Sequence, residues 1–164
     1  RTALSKGEDV ISLFDEVLHT KSYLEIQQIR YSDILEYSID LPEEFEMISL
    51  PKLTLQPLVE NALYHGVKEK RGQSKITITF DDAGDDIIIQ VLDDGIGMKE
   101  ERLQEVKEGL KQNNNVGFGL AAVQGRLVLY FGAGYGIDIW SKYGEGTRIR
   151  VRIPKKFNFL DKKI

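Results

Sequence analysis

Asp93, Gly95 and Gly97 stand at the end of a strongly apolar run, Ile87-Ile88-Ile89-Gln90-Val91-Leu92. Such a run reads as a buried strand that carries a carboxylate to its own end. A carboxylate fixed there can accept a hydrogen bond from an exocyclic amine such as that of adenine. The glycines that follow admit positive φ and let backbone come close without a Cβ in the way. Taken alone, Asp and Gly in this order serve a tight turn equally well. Two more stretches could do related chemistry. Asn61, Tyr64, His65 and Lys68 recur at i, i+3, i+4 and i+7, one face of a helix. An Asn oxygen is a hard ligand that fits Mg2+, whose other ligands are commonly waters and phosphate oxygens. Taken alone, Asn61 is a surface amide. Gly117 and Gly119 precede Leu120 at the start of a further helix, where free N–H groups and the positive end of the dipole face an anion. Gly66 to Ser74 is a basic loop with Lys68, Lys70 and Arg71, suited to phosphate or simply to water.

The elements that must position these residues follow from pattern. The 164-residue chain is 41% hydrophobic and 29% charged, as expected of one soluble domain with a sizeable core. A net charge of -4 gives no broad basic footprint for nucleic acid. With no cysteine there is no disulfide or thiolate chemistry, which fits a reducing compartment. No apolar run approaches the roughly 18 residues of a membrane span, and no signal-peptide pattern or internal repeat is visible.

Arg1 to Gly7 reads as a frayed end. Ser12 to Arg30 reads as a helix with an apolar stripe of Leu13, Val17, Leu24 and Ile26. His19 lies in it as a surface or half-buried residue. Leu35 to Leu41 reads as a strand ended by Pro42. Ser49-Leu50-Pro51 reads as the start of a helix that runs through His65, with Leu55, Leu58 and Ala62 inward and Pro57 kinking it or lying near its first turn. Lys75 to Phe80 and Asp86 to Leu92 form a hairpin about Asp81–Asp85. Glu100 to Leu110 is a short helix with Leu103, Val106 and Leu110 inward. Residues 111–115 lack an apolar anchor and are expected to be mobile. Val116-Gly117-Phe118-Gly119-Leu120 opens a helix that runs through Phe131, with Leu120, Val123 and Leu127 inward. Gly136 to Ser141 and Arg148 to Ile153 close the chain as a hairpin, with Arg148, Arg150 and Arg152 on its wet face.

In order, then, stand Leu-Val-Glu60-Asn61-Ala-Leu-Tyr-His65-Gly, Asp93-Asp-Gly-Ile-Gly97, Gly117-Phe-Gly-Leu120, and Gly146-Thr147 on the last strand. This resembles the ATP-binding domain of sensor histidine kinases, within the Bergerat-fold ATPase superfamily, whose N, G1 and G2 boxes are the first three stretches. Tyr23-Leu-Glu-Ile-Gln-Gln-Ile-Arg30-Tyr and Leu55-Gln-Pro-Leu-Val resemble the LytS-type subgroup. The resemblance spans nearly the whole chain, and three boxes in order and spacing are specific. It implies an α+β two-layer sandwich, helices packed on one face of a mixed, mostly antiparallel sheet. It implies that residues 1–34 are the tail of a dimerisation region with a connecting helix, and 35–164 the catalytic domain.

The same resemblance implies ATP and Mg2+ as ligands. Asn61 would coordinate Mg2+, and Glu60 would polarise or position water near the γ-phosphate. Asp93 would bind the adenine amine, with Gly95 and Gly97 letting the base lie close. Gly117, Gly119 and Leu120 would hold the phosphates beneath a lid of residues 111–116, and Thr147 would support Asp93. The family often has Lys where this chain has Tyr64, so His65 or Lys68 takes that phosphate contact. Position 94 is Asp where Asn is common. The implied reaction passes the γ-phosphoryl of ATP to a histidine on an upstream dimerisation helix, in a homodimer that serves a response regulator. The implied setting is the cytoplasmic end of a membrane-anchored sensor. Other readings are an ATP-hydrolysing clamp, which a second domain usually follows whereas about ten residues follow the last strand here; a serine kinase of the anti-sigma type, which the helix before Tyr31 disfavours; and a nucleotide-binding module that only docks partners, which intact Asn61, Asp93 and glycines disfavour.

Overall fold

A computed structural model describes residues 9–70, 72–112 and 119–157. The elements are β1 (Val10–Ser12), α1 (Leu13–Arg30), β2 (Leu35–Ile39), a 3-10 turn (Glu43–Phe45), β3 (Ser49–Pro51), α2 (Leu55–Leu63), a π-helical turn (Tyr64–Lys68), β4 (Ser74–Ala83), β5 (Asp86–Asp93), α3 (Glu100–Lys111), α4 (Leu120–Phe131), β6 (Ile137–Lys142) and β7 (Gly146–Pro154). Arg1 to Gly7, Arg71, residues 113–116 of the expected lid and Gly117 lie outside the described residues, while Lys111 ends α3 and Gln112 follows it.

The main sheet has the order β2-β4-β5-β7-β6. Only β2–β4 is parallel; the other three pairs are antiparallel. Side chains alternate strictly, so Ile87, Ile89 and Val91 of β5 share the inner face with Ile76 and Ile78 of β4 and Ile149, Val151 and Ile153 of β7, all nearly inaccessible. Leu13 and Leu24 of α1, Leu55 and Leu58 of α2, Leu103 of α3 and Leu127 of α4 join the same core. Burial of each such side chain contributes about 1.5–3 kcal/mol. The two-layer α+β sandwich with a mixed, mostly antiparallel sheet is therefore present.

Two expectations are corrected. Ser49-Leu50-Pro51 begins no helix: it is a strand paired antiparallel with Val10–Ser12, and α2 starts only at Leu55. The proline was a permissive signal for a helix start, but strand pairing claimed the segment. Ile26 is 64% exposed and is not part of the inward stripe of α1, which runs Leu13, Glu16, Val17, Thr20, Leu24. A buried acid occupies a place that hydropathy alone gives to a hydrophobe. The last helix begins at Leu120, directly after Gly119, in agreement with the glycine loop read at its N-terminus. Elsewhere Ser12 caps α1 by accepting the Asp15 N–H at 3.1 Å, and Pro57 sits in the first turn of α2, where its missing N–H costs least.

Candidate nucleotide site

The sheet register builds the site from one row of residues. Ile76, Asp93, Thr147 and Ser141 lie side by side across β4, β5, β7 and β6. The next row inward is Ile78, Val91, Ile149 and Ile139, wholly apolar. The inner face thus turns polar at one end, and strand parity forces Asp93 to point the way Val91 and Ile89 point. The result is a carboxylate only 8% exposed. Burial pushes the Asp93 carboxyl up to about 7, and the adjacent Asp94 charge adds to the rise. The Gly95 and Thr147 N–H groups and the Lys70 charge pull the other way without overcoming burial. Gly95 N–H donates to Asp93 Oδ1 at 2.9 Å.

The glycines around Asp93 are required by protein backbone. A Cβ on Gly95 would overlap the Gly66 Cα and reach the His65 carbonyl at 2.6 Å. Gly97 has φ +69°, and a Cβ there would overlap the Lys142 carbonyl. Gly146 has φ +123°, and a Cβ there would overlap the Asp93 carbonyl. Ser141 Oγ completes this knot: it accepts the Met98 N–H at 2.8 Å and lies 3.0 Å from the Gly146 carbonyl and 2.8 Å from Thr147 Oγ1.

Asn61 sits in the last turn of α2 and is 4% exposed. Its Oδ1 has no hydrogen-bond partner among the described residues. A buried amide oxygen without a donor is costly, and a hard cation satisfies it. The donor chemistry therefore fits Mg2+. No group of three His, Cys, Asp or Glu side chains gathers as a metal cage among the described residues, so water and phosphate oxygens would supply the remaining ligands. The α-helical face read for Asn61, Tyr64, His65 and Lys68 is broken, because the chain widens to a π turn at Tyr64. His65 Nδ1 instead lies 2.7 Å from Glu69 Oε1, and Lys68 Nζ sits 5.7 Å from the Tyr64 ring centre. Glu60 is half-buried, and its charge helps hold the Tyr23 phenol of α1 above its usual range, after the larger effect of burial. Gly119 adopts φ +70° at the N-terminus of α4, with open space where a Cβ would stand.

A family model described as histidine kinase-, DNA gyrase B-, and HSP90-like ATPase matches residues 50–156. The chain belongs to this family. As a member of this ATPase family it is a nucleotide-binding domain. The sensor histidine kinase YesM of Bacillus subtilis (strain 168) is 32% identical over 154 residues, covering 94% of this chain and 26% of YesM. The sensor protein kinase HptS of Staphylococcus aureus (strain USA300) is 33% identical over 158 residues, covering 94% of this chain and 30% of HptS. The chain thus spans about a quarter to a third of these relatives. The nucleotide-free catalytic domain of histidine kinase ThkA superposes with a TM-score of 0.64 at 18% identity, covering 89% of this chain and 94% of that domain. That likeness establishes the Bergerat fold.

Within the ATPase domain, the sequence pointed to Asn61, Asp93 and Gly97 but not to Ser141, Gly66 or Glu16. Ser141 has a signal only in retrospect, as the polar member of an inward-alternating strand. Gly66 matters because it lies against Asp93 and Gly95, a pairing across the fold that spacing does not reveal.

Proposed function

We infer that this chain is the ATP-binding catalytic domain of a LytS-type sensor histidine kinase. It binds Mg-ATP and passes the γ-phosphoryl to a histidine on a dimerisation helix upstream, in a homodimer that supplies a response regulator. Residues 1–34 connect to that helix, with α1 also serving as a layer of the core, and residues 35–164 carry the catalysis. The parent protein is a membrane-anchored sensor whose cytoplasmic end this is. No helix among the described residues is long and apolar enough to cross a membrane.

The observation that carries this reading is the buried Asp93 carboxylate, held by Gly95 and packed through Gly66 against the turn that follows Asn61. An ionised carboxylate there accepts from the adenine amine and repels the carbonyl that guanine presents at the same place. Asn61 holds Mg2+, which when bound offsets charge on the phosphates through a loose transition state. Gly119 and Leu120 bring N–H groups at the start of α4 to the phosphates, and the resemblance assigns Gly117 to the same contact and residues 111–116 to a lid. His65 or Lys68 takes the phosphate contact of the lysine that Tyr64 replaces, and Glu60 polarises or positions water near the γ-phosphate. Thr147 steadies Asp93 from β7. The domain's task is to position ATP for in-line attack, since phosphoryl transfer asks little covalent chemistry of the protein.

Calorimetric titration should show ATP binding and no comparable GTP binding. Incubated alone with γ-labelled ATP, the chain should not label itself; extended upstream to include the dimerisation helix, it should gain acid-labile, base-stable phosphate. Stoichiometric phosphohistidine at His19 or His65 would overturn this assignment, and steady ATP hydrolysis without any labelled histidine would favour an ATP-hydrolysing module.

A further inference from the structure

Lys52-Leu53-Thr54 joins β3 to α2, and two side chains remote in sequence grip it. Glu16 of α1 is 2% exposed. Its carboxylate accepts the N–H groups of Leu53 at 3.2 Å, Thr54 at 2.7 Å and Leu55 at 3.0 Å. Arg126 of α4 donates to the Lys52 carbonyl at 2.6 Å and to the Leu53 carbonyl at 2.7 Å. Lys52 N–H donates to the Asp9 carbonyl at 2.8 Å. Between these grips Leu53 has φ +59°, the one left-handed residue other than glycine among the described residues. Its side chain is 50% exposed, so packing does not hold it there. Such a conformation persists only where the surroundings over-determine it.

Helix capping alone does not need this arrangement. Thr54 stands at the N-cap of α2, yet its hydroxyl donates to the Pro51 carbonyl at 2.6 Å and caps nothing. The helix's first N–H groups go instead to a carboxylate buried in the core, a costlier partner than a local hydroxyl. What the distant carboxylate adds is position. Glu16 fixes the start of α2 against α1, and Arg126 fixes the same point against α4. Asn61 lies further along α2, and α4 opens at Gly119.

We propose that Glu16 and Arg126 are positioning residues for the metal–phosphate end of the site: their clasp on Lys52-Leu53-Thr54 sets where Asn61 stands relative to the N-terminus of α4. The proposal rests on the nucleotide-site assignment above. When the clasp is loosened, the binding-competent arrangement is populated only in part, and apparent affinity falls by that fraction.

The test compares ATP binding, with Mg2+ and with chelator, for the wild type, Glu16→Gln, Arg126→Ala, and each combined with Leu53→Gly. Glu16→Gln keeps the shape but loses the charge, and should weaken Mg-ATP binding by about tenfold. Binding of metal-free ATP, which depends on the Asp93 end, should change little. Arg126→Ala should act in the same direction. Glycine adopts the left-handed conformation without penalty, so Leu53→Gly should restore most of the lost Mg-ATP affinity in either background. Loss of general stability predicts no such rescue and an equal loss with and without metal. Unchanged Mg-ATP affinity in both single variants, or parallel losses without rescue, would overturn the proposal. If Glu16→Gln does not fold, the Arg126→Ala pair decides on the same criteria. A wild type that binds no ATP at all would instead sink the nucleotide-site assignment, and this proposal with it.

Discussion

Asp93 carries two opposite dependences on pH. Its carboxyl titrates near 7 in the fold and at about 3.9 when unfolded. The fold therefore binds the extra proton between those values, so this group's contribution to stability is full below about pH 4 and is lost as pH rises through about 7. The proposed role of Asp93 asks for the other form, since an adenine amine would need the ionised acceptor. ATP affinity should rise with pH through 7, and binding near pH 6.5 should release a proton, seen as a calorimetric enthalpy that varies with buffer. Asp93→Asn should weaken ATP binding by about 1–3 kcal/mol. It should also raise the melting temperature more at pH 8 than at pH 5. Asn61→Ala gives a second contrast. Because the amide oxygen is buried without a partner, its removal should leave the nucleotide-free melting temperature unchanged or higher. The same variant should lose the tightening of ATP binding by Mg2+; full metal dependence in Asn61→Ala would remove it as the ligand. Asp93 was legible because a strand's period of two fixes the face of every residue at once. Glu16 was not, because its partners lie some forty residues away and a buried acid in an apolar stripe resembles a surface residue until they are seen.

Elements were legible in proportion to their length and periodicity. β4 and β5, α3 and α4, and the β6–β7 hairpin run close to where alternation and 3.6-residue spacing put them. β1 and β3 are three residues each, too short for any period, and exist through their pairing with each other. The π turn was hidden for a different reason: widening a helix by one residue per turn leaves composition unchanged and moves side chains off the expected face. Ser141 ties β6, β7 and the loop after β5 together, and Ser141→Ala leaves the Met98 N–H with no acceptor from it. That should cost about 1–3 kcal/mol and lower the melting temperature by several degrees in thermal unfolding. An unchanged melting temperature would show that the loop is held by its glycine contacts alone.

At the scale of the molecule, helix and strand order pointed to the layered fold, but not to the sheet's order, in which the last strand made lies second from the edge, between β5 and β6. A chain cut after Gly136 would keep Asn61, Asp93 and Gly119 yet lack Thr147, Ser141 and Gly146. Such a piece should bind no ATP and should sediment as aggregate, whereas a monomer with native-like circular dichroism would show that the remaining sheet stands unaided. The same order has a meaning for synthesis on the ribosome. Chains emerge from their first residue, so β5 waits with one edge unpaired, baring Ile87, Ile89 and Val91 beside open backbone until Gly146–Pro154 arrives. A nascent chain therefore passes through a sticky stage in which Asp93 is already made but not yet walled in. Stalling in that interval would call for a chaperone, and no amount of cellular ATP would help the unfinished domain fold.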